Sequence, residues 1–575
     1  MTLFLVLWRA LFAQFFTSET TTSDDQLRRT IVWVLAFLLM PGGLLIIELF
    51  FDYQGIVLRA IRYQQFDRLD DALEWIAFLF VTYSMVTVGF IAVCEWDALA
   101  FDRRDAMVLG PLPLRAATIV TAKVAALGAF LLAASTTVNL TNAAVFAVAT
   151  ADRLGGVMLL RHFAALFIAT AAGAAFVFAA LVVTREAIGL VAGPRVAAAA
   201  GSLLQFAFAL ALLGIVILCP AVWRVPHREL VNPQVTGWLP TSWFLGLFEG
   251  LRGSRRAYFQ PLATRAVMAT AGVTASAVLM SIAGFHHQMQ HALATAVATG
   301  PGGRAACLAQ VLARTMVRPN RLAEATTDFI LLTLIRNRAQ QMPVAMNAAV
   351  GVAIICGGLT QVRNFASLAD AGTTLLSAPL LLAYWLAIGL RAAFFVPSEL
   401  PASWTFHANA SELATGYWSA VRASMLTVVL PPTVVVAAGV TVPLLGWRVA
   451  AWHVLIAGGA AILTVGAIAQ TIDFVPFTRA YTPGHARLRT RWPLYVIGMY
   501  FFAFWPARLE LMLLSQPAGR LVMLAALCLA IVIVEAVGRS RAVRWSLRPP
   551  EGLEDEMSTF TVLDIGVAVQ GASRT

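Results

Sequence analysis

The chain has 575 residues, of which 59% are hydrophobic and only 12% charged, about half the charged share usual in soluble domains. So few polar groups cannot clothe a globule of this length, which excludes a soluble protein and leaves one that uses lipid as its solvent. The formal charge of +11 is carried by arginine and one lysine; in a membrane protein such residues gather in cytoplasmic loops and fix orientation, so it does not point to nucleic acid.

The first apolar run, Leu3–Phe16, is too short to cross a bilayer and is interrupted by Arg9. Acidic residues (Glu19, Asp24, Asp25) follow it where a signal peptide would have a small-residue cleavage site, so none is expected. Residues 1–30 read as an interfacial helix, with Trp8, Phe12, Phe15 and Phe16 at headgroup depth, and a linker. The competing reading is a short helix of the bundle core. A membrane half spanning residues 31–285 then begins. A spanning helix needs about 20 mostly apolar residues, and the half supplies such runs at 31–50, 72–94, 116–149, 157–183, 196–222 and 262–285. Pro41-Gly42-Gly43 would kink the first of these, which neighbouring helices can repair.

A cytoplasmic connector is expected over 286–345, then a second membrane half over 346–538. Its runs are 346–362, 372–394, 419–443, 451–472, 493–513 and 519–538. Residues 539–575 form a cytoplasmic tail, whose arginines from Arg539 to Arg548 anchor at the membrane surface. The expected fold is therefore all-α: a polytopic integral membrane bundle of about twelve transmembrane helices in two six-helix halves. An even number of spans puts both termini on one side. Placing them in the cytoplasm leaves most of the arginines inside, as orientation in an inner membrane requires.

The most distinctive stretch joins the second and third spans. In Glu95-Trp-Asp-Ala-Leu-Ala-Phe-Asp-Arg-Arg-Asp-Ala-Met-Val-Leu-Gly-Pro-Leu-Pro-Leu-Arg115, the acids Glu95, Asp97, Asp102 and Asp105 alternate with Trp96, Phe101, Arg103 and Arg104. A short amphipathic helix here would offer charges and aromatic rings to a cytoplasmic partner before Pro111 and Pro113 end it. A plain solvated loop is the alternative. Acid–base or metal chemistry is weaker, because arginines interrupt the acids and no histidine or cysteine lies near.

These residues resemble a known family. Asp102-Arg103-Arg104-Asp105, then Leu109-Gly-Pro-Leu112-Pro113, with Lys123 early in the following helix, is similar to the loop between the second and third spans of type-two ABC exporter permeases. The resemblance implies a coupling helix seated on a separate ABC ATPase subunit, and it touches Asp102, Arg103, Asp105, Leu109, Leu112, Pro113 and Lys123; Asp97 and Arg104 of the same loop are docking candidates beside them. The segment Pro397–Phe406 is the second half's counterpart, with Glu399, Trp404 and Phe406 as its docking candidates; it lacks the Asp-Arg-Arg-Asp cluster. Leu239-Pro-Thr-Ser-Trp243-Phe244 is similar to a proline–tryptophan turn ahead of the sixth span in that family.

The rest of the inventory removes rivals. A P-loop needs Gly-x-x-x-x-Gly-Lys-Ser/Thr, and the single lysine, Lys123, sits in Thr-Ala-Lys-Val without glycines at that spacing. ATP would thus be held by the partner, and no cofactor or metal is expected in this chain. Cys94, Cys219, Cys307, Cys356 and Cys528 form no C-x-x-C and read as small apolar residues. His287 and His291 are spaced like a metal pair but lack a third ligand. Glu48, Glu74, Asp473, Glu510 and Glu535 fall mostly near span ends, where carboxylates reach water. The expected function is a non-enzymatic permease of an ATP-driven exporter of unspecified cargo, acting alone or as a homodimer. A secondary transporter, or a membrane enzyme acting on lipid-linked substrates, are the alternatives.

Overall fold

The computed structural model describes residues 3–13, 15, 53, 55–60, 62–64, 67–96, 98, 99, 101, 105, 108–151, 155–191, 193–222, 237–254, 256–294, 304–317, 320–362, 368–398, 414–472, 474–478, 488–514 and 516–545. The predicted first span at 31–50 lies outside these residues. So do Asp97, Asp102, Arg103, Arg104, Glu399, Trp404, Phe406, Glu48, Asp473 and the tail beyond Trp545.

Among the described residues all regular structure is helical. In chain order the helices are α1 (Leu3–Ala13), α2 (Asp67–Cys94), α3 (Ala116–Ala151), α4 (Gly156–Val191), α5 (Gly193–Val222), α6 (Pro240–Arg252), α7 (Phe259–Ala294), α8 (Arg304–Met316), α9 (Arg321–Arg336), α10 (Arg338–Gln361), α11 (Leu368–Phe394), α12 (Ala414–Leu445), α13 (Trp447–Ala469), α14 (Leu488–Met499), α15 (Trp505–Leu513) and α16 (Pro517–Trp545). A π turn, Tyr500–Phe504, joins α14 to α15. Ten stretches of these helices are long and apolar enough to cross a membrane, and within one segment a helix satisfies its own backbone groups inside lipid. The chain is thus a polytopic helical membrane protein. α5 occupies the predicted fifth span, and its described middle, Gly201–Ile215, is apolar too.

Burial separates the helices by role. In α11, 83% of the apolar window is buried, against 6% in α16. α11 is therefore a central post, while Leu521, Val522, Leu529, Val532 and Ile533 of α16 face outward, as lipid contact allows. Within the bundle, small residues let backbones approach: a Cβ on Gly389 of α11 would lie 2.9 Å from the Val344 Cα of α10. α2 packs on α3, α4, α5 and α6; α11 packs on α10, α12, α13 and α15; α5 and α10 pack on each other. Across that last contact Ser202 donates to Gln341 Oε1 at 2.5 Å, while toward α2 Gln205 of α5 donates to the Val93 carbonyl at 3.1 Å.

Where it is described, the segment expected as a connector is helical. α7 runs on to Ala294, α8 and α9 follow, and α10 begins at Arg338, ahead of the predicted 346. Ile330 and Leu334 of α9 join the apolar core formed by α11, α12 and α13. α1 packs on α3, burying Leu7, Leu11 and Phe15, with Phe15 stacked on Phe130 at 4.3 Å. Leu3, Leu5 and Val6 stay outward.

Candidate functional site: the loop between α2 and α3

α2 and α3 are antiparallel, and the connection between them closes one end of the bundle, here termed the loop end. Its first part folds inward. Trp96, Leu99, Phe101 and Leu109 are buried in one cluster with Ile119 and Val120 of α3. Trp96 meets Phe208 of α5 at 5.8 Å, and Phe101 meets Phe285 of α7 edge-on at 5.1 Å. Each large apolar side chain withdrawn from water contributes about 2 kcal/mol, so packing holds much of the loop's base.

Asp105 and Lys123 are also inside. Their side chains are 5% and 2% exposed, and Nζ lies 3.6 Å from Oδ2. The ammonium also sits 5.5 Å over the Phe101 ring, where the ring's quadrupole favours a cation. The only lysine of the chain thus ties α3 to the loop. The backbone is helical at Asp105 and again at Val108–Leu109, and the prolines then stop it. Around and beyond Leu109 the surface changes character: Val108, Gly110, Pro111, Leu112 and Pro113 are exposed, Val108 at 64% and Leu112 at 47%. Of the residues singled out from sequence, Asp105, Leu109 and Lys123 are gathered into the bundle, whereas Leu112 and Pro113 form an outward apolar tip.

The described start of the segment expected as its counterpart, Pro397 and Ser398, lies at the same end. Ser398 donates its backbone N–H to the Phe477 carbonyl at 2.9 Å and accepts from Asn337 Nδ2 at 3.1 Å. Gln340, buried on α10, donates to the Val396 and Pro397 carbonyls. Nearby, Arg391 is 2% exposed inside α11 and donates to Thr471 Oγ1 at 2.7 Å and Tyr495 Oη at 2.8 Å.

The opposite end carries two further polar clusters. In the first, the turn between α6 and α7 grips the start of α2. Arg256 donates to Glu74, which is fully buried, and lies 3.6 Å from Asp71. Arg252 bridges Asp70 at 3.2 Å and Glu249, also fully buried, at 3.0 Å. Gly253 takes the left-handed conformation at φ 88° that ends α6, and a side chain there would strike Arg161. Burial pushes the Glu249 carboxyl above the usual carboxylate range, and Arg252 pulls it back. A raised carboxyl holds its proton to higher pH when folded than when unfolded, so this group makes stability fall as pH rises through that window. Arg256→Ala is expected to cost about 2 kcal/mol by removing a charged hydrogen bond from Glu74, discounted for the exposure of the guanidinium. Thermal unfolding of the detergent-solubilised protein measures it, and Arg256→Lys should recover part of the loss.

The second cluster is a pair. His453 of α13 and Glu510 of α15 are 0% and 1% exposed, with Nδ1 3.1 and 3.0 Å from the two carboxylate oxygens and Nε2 without a hydrogen-bond partner. Glu74 and Glu510 are thus not carboxylates reaching water, as their positions near span ends suggested, but buried and paired. Nothing local in sequence joins these partners; the available signal was a lone histidine and a lone arginine, His453 and Arg391, inside otherwise apolar spans. Cys356 and Cys528 lie exposed on spans and Cys307 exposed on α8, rather than buried. α7 runs through His286, His287 and His291, and no group of three metal ligands occurs among the described residues.

Compared with known proteins, the chain matches no family model, no curated protein and no solved structure.

Proposed function

We propose that this chain is the membrane permease of an ATP-driven exporter in an inner membrane, with both termini cytoplasmic. A separate ABC ATPase seats on the loop between α2 and α3. The observation that carries the reading is the split character of that loop. Its base is locked into the bundle by Trp96, Phe101 and the Asp105–Lys123 pair, and its tip offers Val108 and Leu112 to the outside. A lever needs both properties: a rigid root that moves the helices, and an apolar end that a partner can grip. The chain itself binds no nucleotide and performs no catalysis in this scheme. Closure of the ATPase rocks two membrane halves and moves cargo.

Support for two halves comes from a recurring packing order. α1 packs on α3 ahead of the first set of spans, and α8 and α9 pack on α12 ahead of the second. α2 packs on α3, α4 and α6 as α11 packs on α12, α13 and α15; α4 packs on α7 as α13 packs on α16. On this reading α10 corresponds to the predicted span at 31–50, which completes twelve.

The buried His453–Glu510 pair favours a second reading, a secondary transporter, because ionisable groups inside spans are costly and often serve ion pathways. Reconstitution separates the two. With a partner ABC ATPase, vesicles should accumulate or expel cargo only with ATP. Transport by this chain alone, driven by an ion gradient, would refute the exporter assignment.

A further inference from the structure

We propose that α8 is an interfacial helix whose outward face lies among lipids at the boundary between headgroups and acyl chains, drawn there by anionic headgroups. The inference is independent of the exporter reading.

The two faces of α8 have different surroundings. Val317, just beyond the helix, forms an apolar cluster with Ala323 of α9 and with Ala420 and Ala423 of α12; Met316 packs beside them, Thr427 Oγ1 lies 3.9 Å from its Sδ, and Ala313 on the same face of α8 is 1% exposed. The opposite face presents Leu308, Val311 and Leu312 at 64%, 55% and 40% exposure. Their i, i+3, i+4 spacing places them on one stripe of the helix.

The packing partner points to what covers that stripe. Ala420, Ala423 and Thr427, against which the end of α8 rests, belong to the apolar stretch Gly416–Leu444 of α12, so the outer side of α8 borders the lipid around a spanning helix. Charge agrees with this placement. From His286 to Ala323 the sequence has no Asp or Glu, while Arg304, Arg314, Arg318 and Arg321 fall within it. Arg314 is 61% exposed and lies 3.6 Å from Asp328 of α9, off the apolar stripe. An amphipathic helix with basic residues beside an apolar stripe binds most strongly to an anionic surface.

The test uses the full-length chain with its five cysteines replaced, carrying Val311→Cys or, as a reference, Arg314→Cys, each labelled with bimane. Both positions are exposed, so neither label intrudes on packing; a single monodisperse peak on gel filtration checks folding. In vesicles of phosphatidylcholine with phosphatidylglycerol, the label at 311 should be quenched several-fold more by nitroxide-bearing lipid than by aqueous iodide, and the label at 314 the reverse. Omitting phosphatidylglycerol should raise iodide access at 311. Equal iodide access at both positions would overturn the proposal, as would cross-linking of two chains through Val311→Cys, which would assign the stripe to a second copy. Unchanged access without phosphatidylglycerol would overturn the role of anionic headgroups.

Discussion

Asp105→Ala is expected to cost the protein about 3–5 kcal/mol, the loss typical of removing one member of a buried ion pair. The size follows from burial on both sides. Lys123 is 2% exposed and Asp105 5%, so neither water nor salt can replace the missing carboxylate for the ammonium. The mutant should lose folded yield in detergent and show a sharply lower unfolding temperature. Lys123→Met should suffer similarly, because it strands the carboxylate instead. The double variant Asp105→Leu, Lys123→Met removes both charges and should regain most of the stability. A double variant no better than Asp105→Ala would mean that the pair is not what roots the loop. For the same reason Asp105→Arg, the obvious charge reversal for testing a docking loop, would report unfolding before it reported docking.

Leu112→Arg probes docking without that confusion. Leu112 is 47% exposed and Val108 64%, and neither supports the bundle, so the unfolding temperature should stay within about a degree, as for a surface substitution. If the tip enters an apolar groove on an ATPase, placing a charge there should weaken co-purification at least about tenfold, equivalent to ~1.4 kcal/mol. Val108→Asp should act in the same direction. Undiminished pairing in both variants would remove the tip from the interface and the coupling scheme with it.

Much of the architecture was legible because a bilayer dictates the length of an apolar run more strictly than a soluble core does. The runs at 72–94, 116–149 and 372–394 correspond to helices Asp67–Cys94, Ala116–Ala151 and Leu368–Phe394. Ends were less legible, since a helix continues past lipid for as long as its backbone is satisfied; α4 extends to Val191, beyond the apolar run that ended at 183. α8 and α9 were missed as helices because a connector of mixed polarity gives no long apolar run. At the candidate site, Asp105, Leu109, Leu112 and Lys123 were singled out together by resemblance to a family, which did not tell which of them turn inward. Glu74 meets Arg256 across 182 positions and His453 meets Glu510 across 57. Such pairings are products of helix packing, and no local pattern announces them.

The π turn at Tyr500–Phe504 bears on how that last pairing comes about. Pro506 has no N–H to give to the turn before it, and the ladder there widens to five-residue steps. One residue of slack shifts the angular phase of everything downstream by about 100°. No single helical wheel therefore describes the span from Leu494 to Leu513: Tyr495 is aimed at Arg391 by one phase, and Ala507 and Glu510 are aimed inward by another. The carboxylate under His453 owes its bearing to a miscount in the backbone.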